Sequence, residues 1–206
     1  MPVGAYAYSQ GLEYAVEAGW VRDEATTHEW LQGLMRHSLA QLDLPLLIRL
    51  LSAAGARDGA ALRSWNARLL ASRETQELRD EDRQLGRALC RVLIDLQIPG
   101  AEAWRDTPAG YATQYALACA HWQISERAAL AGYTWSWLEN QVLAAVKLVP
   151  LGQSAGQRLL HALALQIEAC VVVAQAVGDA DIGIGGVMQG LASAAHESQY
   201  TRLFRS

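Results

Sequence analysis

Residues 125–177, SERAALAGYTWSWLENQVLAAVKLVPLGQSAGQRLLHALALQIEACVVVAQAV, decide the fold. Leu138, Val142, Ala145, Val146 and Val149 recur at the spacing of one helical face, so Ser125–Val149 reads as a helix. Tyr133, Trp135, Trp137, Leu143 and Leu148 add apolar bulk on its other sides. Pro150-Leu151-Gly152 breaks it, and Gly156–Val177 reads as a second helix along Leu160, Leu163, Ala164, Ile167, Cys170, Val171, Ala174 and Val177. Leu165 and Val172 lie off that stripe, which predicts burial on more than one side. A short linker makes the two helices antiparallel neighbours, and this hairpin is expected to be the core of a bundle.

Outward from the hairpin the chain is helical throughout. Ser9 can cap a helix over Gln10–Ala18 that ends at Gly19, and Asp23 or Thr26 can cap the next, with Trp30, Leu31, Leu34, Met35 and Leu39. Leu44–Ala54 reads as a separate helix with Pro45 in its first turn, where the missing N–H costs little. Asp58 caps a helix carrying Leu62, Trp65, Leu69 and Leu70. The charged helix Thr75–Gln97 has Leu78, Leu85, Leu89, Val92, Leu93 and Leu96 on one side. Arg79, Arg83, Arg87 and Arg91 run along the other, with Glu77 and Glu81 placed to relieve their repulsion. Thr107-Pro108 predicts the start of a helix through Tyr115, Leu117 and Cys119, residues 179–186 a loop, and Val187–Ser198 a last helix. The expectation is one all-α domain over residues 1–206, a bundle of about nine helices, with residues 199–206 as a C-terminal tail.

Composition narrows the function. The net charge of −4 argues against a nucleic-acid binder. Glu139, Lys147 and Glu168 interrupt the long apolar runs, which argues against a membrane span, and no leader pattern precedes the first helix. Cys90, Cys119 and Cys170 are isolated and read as buried thiols of a cytoplasmic protein. Gly152-Gln153-Ser154-Ala155-Gly156 matches G-x-S-x-G but follows a helix, whereas a nucleophile elbow follows a strand. Gly183-Ile184-Gly185-Gly186 lacks the third glycine of a dinucleotide loop, there is no phosphate loop, and the five histidines are not at metal-ligand spacing. No enzyme chemistry, cofactor or metal site is expected. Lys147 is the only lysine and shares a polar helical face with Ser136 and Asn140; it either neutralises the helix C-terminus or offers a cation to a partner. The tail Tyr200-Thr201-Arg202-Leu203-Phe204-Arg205-Ser206 carries the only Phe among residue types common at interface hot spots, and either folds back on its own core or meets a partner.

The two ends of the chain carry a resemblance. Pro2-Val3-Gly4-Ala5-Tyr6-Ala7-Tyr8-Ser9-Gln10-Gly11-Leu12-Glu13, with Ala15, Val16 and Gly19, resembles the N-terminal signature of the UreF family of urease accessory proteins. His196-Glu197, Tyr200 and Arg202-Leu203-Phe204-Arg205-Ser206 resemble its C-terminal signature, and Glu77-Leu78-Arg79, Gly86, Pro150-Leu151-Gly152-Gln153 and Gly156-Gln157 follow the family's order. The resemblance implies an all-α, dimerising, non-catalytic protein that joins UreD (also called UreH) and the GTPase UreG to deliver nickel to apo-urease. It also implies that Tyr200, Arg202, Leu203, Phe204, Arg205 and Ser206 dock on UreD, with Val3–Glu13 close by, and that Glu13 and Lys147 face UreG. The family commonly has a further apolar stretch before the Pro-Val-Gly block and a Ser where Asp82 stands. Three alternatives differ in class: a hydrolase using Ser154, a regulator of GTP hydrolysis by UreG using an arginine of the 79–91 stripe, and a plain helical oligomerisation module.

Overall fold

The computed structural model describes residues 5–183 and 185–206; Pro2, Val3 and Gly4 of the N-terminal block and Ile184 of the glycine-rich loop lie outside the described residues. Among the described residues the regular structure is entirely helical. The α-helices are α1 (Leu12–Glu17), α2 (Glu24–Leu34), α3 (Leu44–Gly55), α4 (Gly59–Ala71), α5 (Gln76–Asp95), α6 (Tyr111–His121), α7 (Glu126–Leu148), α8 (Gln153–Ala164), α9 (Ile167–Ala176) and α10 (Val187–His196).

Side-chain caps set several starts where the sequence places them. Asp23 accepts from Thr26 N at 2.8 Å, and the Thr26 hydroxyl accepts from Asp23 N in return, a capping box. Asp58 caps α4, Thr75 caps α5 and Ser125 caps α7. Gly19, at φ +73°, follows α1 as the left-handed terminator that its lack of a Cβ permits.

Helix α1 starts at Leu12 behind the left-handed Gln10 and Gly11 and has no side-chain cap, so Ser9 is not its N-cap; three further elements differ from expectation. First, α2 and α3 do not separate. A π-helical segment, Met35–Asp43, joins them into one continuous run. Pro45 has no N–H to give and would clash with the carbonyl a turn earlier in an α-helix; the wider π turn, closed by Leu44 N to Leu39 O, absorbs both problems. Second, α6 starts at Tyr111, not at Thr107-Pro108, because its first amides are capped from other helices. Asp82 accepts from Tyr111 N at 2.6 Å, and Asn66 accepts from Gly110 N at 2.9 Å and the Thr113 hydroxyl at 2.8 Å. Third, the second arm of the hairpin breaks at Leu165-Gln166 into α8 and α9, and Leu165 (75% exposed) and Val172 (57%) face outward rather than inward.

The deepest helix is α3, which packs on α4, α6, α7 and α9 and buries Leu44, Leu46, Leu47 and Leu50 completely. The hairpin folds around it, with α7 against α8, α9, α3 and α1. Trp135 and Leu143 of α7 are exposed, so that helix is buried mainly along Ala129, Leu130, Leu138, Val142 and Ala145. The segment Gln153–Ala176 is long enough, and over part of its length apolar enough, to cross a membrane. Its backbone is interrupted, however, its inner side packs on α2, α3 and α7, and Arg158 and Glu168 pair with Glu24 and Arg127. It reads as part of the bundle.

Close helix approach depends on Gly86. An added Cβ there would lie 2.0 Å from the Ala109 carbonyl oxygen, a backbone atom with nowhere to go. Gly86→Ala is therefore expected to lower the unfolding free energy by about 1–3 kcal/mol or more, read by urea denaturation with far-UV circular dichroism. Gly33 in α2 has open space beside it, so Gly33→Ala should raise stability by roughly 0.5–1 kcal/mol. Equal effects at the two positions would sink the packing argument.

Candidate partner-docking site

The two ends of the chain meet on one side of the bundle. Gln10 (φ +55°) and Gly11 (φ +84°) turn the backbone left-handed before α1, and Gly11 lies against Ala192 and Ser193 of α10, where a Cβ would stand only 3.0 Å from both. This turn aims the Ser9 and Gln10 amides at the carbonyl of Ser206, at 2.7 and 3.0 Å, and the Ser9 hydroxyl donates to the same oxygen. Arg205 N donates to the Ala7 carbonyl at 2.9 Å. The tail is thereby stitched to the N-terminal segment.

Glu13 is the centre of this arrangement. Its carboxylate is 8% exposed and accepts from Leu203 N at 2.6 Å and Phe204 N at 2.8 Å. Nε2 of the fully buried His196 lies 3.2 Å away. On the other side of the ring, Nδ1 stands 2.7 Å from Glu77, whose second oxygen accepts from Arg202 at 2.8 Å. Each ring nitrogen of His196 thus faces a carboxylate. Glu197 accepts from the Gln76 and Glu77 amides, a negative charge on the N-terminus of α5.

The predicted site residues therefore divide. Phe204 (5% exposed) and Ser206 (0%) point inward. Phe204 joins a small core with Leu12, Ala15, Val21, Ala144, Ala145 and Val149, and in this chain both residues hold the tail rather than present a surface. Tyr200 (103%) and Leu203 (68%) point outward, and the Arg202 and Arg205 side chains are exposed. Glu13 is enclosed, not facing a partner. Lys147 is exposed at the end of α7 with Nζ 5.6 Å from the centre of the Phe204 ring. Asn140, on the same polar face, donates to the Ala5 carbonyl at 2.9 Å, so that stripe serves the N-terminal segment. Glu77 and Glu81 do not neutralise the arginine stripe; both turn to the tail. Ser154 is exposed in the first turn of α8, after a loop that follows α7.

Two buried carboxylate centres escaped the sequence. Glu81 accepts from Gln10 at 2.8 Å and from the Ser206 hydroxyl at 3.0 Å. Burial nevertheless pushes its carboxyl from 4.5 up to about 7, because these two bonds only partly offset the lost hydration. Arg73 donates to Asp43 at 2.7 Å and Asp82 at 2.9 Å. Desolvation alone would lower this guanidinium, but the two carboxylates outweigh it and hold it well above its ordinary value. A cavity of about 410 Å³ opens beside these groups, bordered by Tyr111, Tyr133 and Trp137. No local pattern marks Asp43, Arg73 and Asp82 as partners.

Glu81 has a testable sign. The folded chain holds its proton more tightly than the unfolded chain, so this stability is complete below pH 4.5 and lost as the pH rises through about 7. Relative to Glu81→Gln, the native chain is expected to lose up to about 3 kcal/mol across that window; a flat difference would mean the carboxyl ionises freely. Glu13→Ala strips the acceptor from Leu203 and Phe204 and should cost about 1–3 kcal/mol. It should also speed hydrogen exchange at those two amides, and unchanged exchange would show that something else holds the tail.

Comparison with known proteins identifies the family. The UreF family model matches residues 21–164, between the two ends that meet here. The chain is 49% identical over 206 residues to the urease accessory protein UreF of Hahella chejuensis, covering 100% of this chain and 93% of that protein. It is 51% identical to the protein of the same name from Alkalilimnicola ehrlichii, covering 100% of this chain and 91% of that one. The match to a Pseudomonas putida protein of that name is 46%, covering 100% and 92%. These alignments run through both termini, including Glu13 and the tail it holds, and the chain belongs to the UreF family.

Proposed function

We propose that this protein is a non-catalytic adaptor in urease maturation, joining UreD (UreH) to the GTPase UreG so that nickel reaches apo-urease. The observation that carries the reading is the C-terminal segment. Its backbone is fixed by Glu13, Ser9 and Gln10, while Tyr200 and Leu203 are held out to solvent. Val187, Met188 and Leu191 of the preceding helix α10 are also exposed. An apolar surface that is ordered before binding spares a partner the entropy of fixing it, and large exposed apolar side chains of this kind mark interaction sites.

In this reading Tyr200, Arg202, Leu203 and Arg205 contact UreD, and Phe204 and Ser206 set the posture of the tail. Lys147, exposed beside the tail, is assigned to the UreG side, with Glu13 acting through the tail it holds. The dimer implied by the family resemblance belongs to the same proposal; Leu165, Val172 and Val173 form an apolar strip of the kind it would cover.

The test separates contact from folding. Deleting Thr201–Ser206 should abolish co-purification with UreD, but it also removes Phe204 from the core. The Tyr200→Ala, Leu203→Glu double variant leaves Glu13, Phe204 and Ser206 in place. It is expected to keep its unfolding midpoint and to lose the UreD complex by about tenfold or more in affinity. Lys147→Ala should weaken UreG recruitment with stability changed by less than about 0.5 kcal/mol. Unaltered recovery of both partners would overturn the assignment of these surfaces.

A further inference from the structure

A second surface lies away from the tail, on the opposite flank of α5. The groove between α5 and the stretch 104–109 encloses about 680 Å³ and is bordered by Arg83, Arg87, Arg91 and Arg105. Several arginines of this chain are committed. Arg73, Arg49, Arg127, Arg158 and Arg202 sit in ion pairs of 2.6–2.9 Å, and Arg79 donates to the Arg73 carbonyl at 2.7 Å. Arg105 is engaged by both oxygens of Glu102, at 2.6 and 2.8 Å.

Arg22, Arg36, Arg57 and Arg63 are also exposed without such partners among the described residues, but on α5 the arginines recur every four residues along one helix. Among the described residues Arg87 and Arg91 are exposed and make neither an ion pair within 4.0 Å nor a side-chain hydrogen bond. Arg83 reaches Asp80 only at 4.0 Å, and its Nε is shielded from water with no acceptor. Asp95 and Asp106 also border the groove, towards its Arg91 and Arg105 end, and neither is within 4.0 Å of Arg87 or Arg91. Like charges four residues apart on a helix repel, so the row is unfavourable while it stands empty and is relieved by an anion.

We propose that this groove docks an acidic helical segment of a partner protein. The spacing chooses the ligand class. Residues 83, 87 and 91 rise by about 6 Å per step along α5. A partner helix with carboxylates at i, i+4 and i+8 repeats that spacing, one carboxylate per guanidinium, and each pair has the planar fork geometry that arginine favours. A phosphate or polyphosphate carries its charges closer together and would meet one or two of the three. Between the arginines the groove is apolar, with Ile94 and Pro108 beside the nearly buried Trp104, so it also accepts an apolar side chain lying between the acidic ones. In a chain of net charge −4 this is a local field opposite in sign to the whole.

The probe is a fluorescently labelled helical peptide bearing Glu at every fourth position on an Ala–Gln background, titrated into the full chain and followed by anisotropy. Saturable binding is expected, weakening as salt is raised. Arg87→Glu with Arg91→Glu should reduce affinity by about tenfold or more, and Arg87→Lys with Arg91→Lys by less, because the charge remains and the fork is lost. Both pairs are exposed, so neither unfolding midpoint should fall below that of the native chain, and the Arg→Glu pair relieves the repulsion along the row. The Tyr200→Ala, Leu203→Glu variant should bind the peptide as the native chain does, which separates this groove from the tail. The proposal is overturned by absent binding, by binding indifferent to the Arg→Glu pair, or by equal binding of a peptide with its Glu residues clustered. Tripolyphosphate displacing the peptide at stoichiometric concentrations would identify a small-anion site instead and would also overturn it.

Discussion

The carboxylate of Glu13 is the constraint on which the tail-bearing side depends. It is nearly sealed from water, and its oxygens are used by two backbone amides of the tail and by His196. A buried carboxylate with that many donors is tolerated only because they replace its hydration, and a donor removed leaves the full desolvation cost behind. The consequence reaches far in sequence, because Leu203 lies 190 residues from Glu13. Ordering a terminal segment across that separation needs more than one bond. The Ser206 carbonyl on Ser9 and Gln10, and the Phe204 ring under Lys147, supply the others. The outward posture of Tyr200 and Leu203 follows from what their neighbours are doing inside.

A second buried polar centre organises the interior in the same way. Arg73 links Asp43, at the end of the π segment, to Asp82 on α5, and Asp82 in turn caps α6. Three separately formed helices are thus registered on one another by directional bonds, where the apolar core alone would permit sliding. The close approach at Gly86 and Gly110 belongs to the same joint, since a Cβ at Gly110 would press on Leu69 and Asp82. Surface pairs such as Arg158–Glu24, with side chains 63% and 38% exposed, carry little of this.

The molecule therefore presents two chemically distinct faces from one scaffold. One is apolar and aromatic, on α10 and the tail, with its backbone fixed by buried carboxylates. The other is a row of arginines along α5, whose inner side supplies Glu77 and Glu81 to side chains of α10 and the tail. Helix α5 places Glu77, Glu81 and Asp82 inward and Arg83, Arg87 and Arg91 outward or along the rim, so a single helix serves both the tail and the groove. A shared helix is a direct physical means of holding two separate surfaces in a fixed relation.

Helix identity, the capping of α2 and α4, and the stop at Gly19 were legible in the chain because each rests on groups within one turn of one another. The resemblance carried by the two ends was legible too, without its cause. Pro45 predicts a helix start, and only the tertiary packing on either side makes a continuous π passage the better outcome. Leu165 and Val172 look like core by composition, and only the break at Leu165-Gln166 turns them to solvent. Glu77 and Glu81 look like surface partners for the arginines that flank them in sequence, and the fold spends them on the tail instead. Short-range patterns determine which segments are helical, since helical hydrogen bonds and caps span only a few residues. Which buried charge meets which is decided by tertiary structure, because those partners are set by how helices pack and not by their separation along the chain.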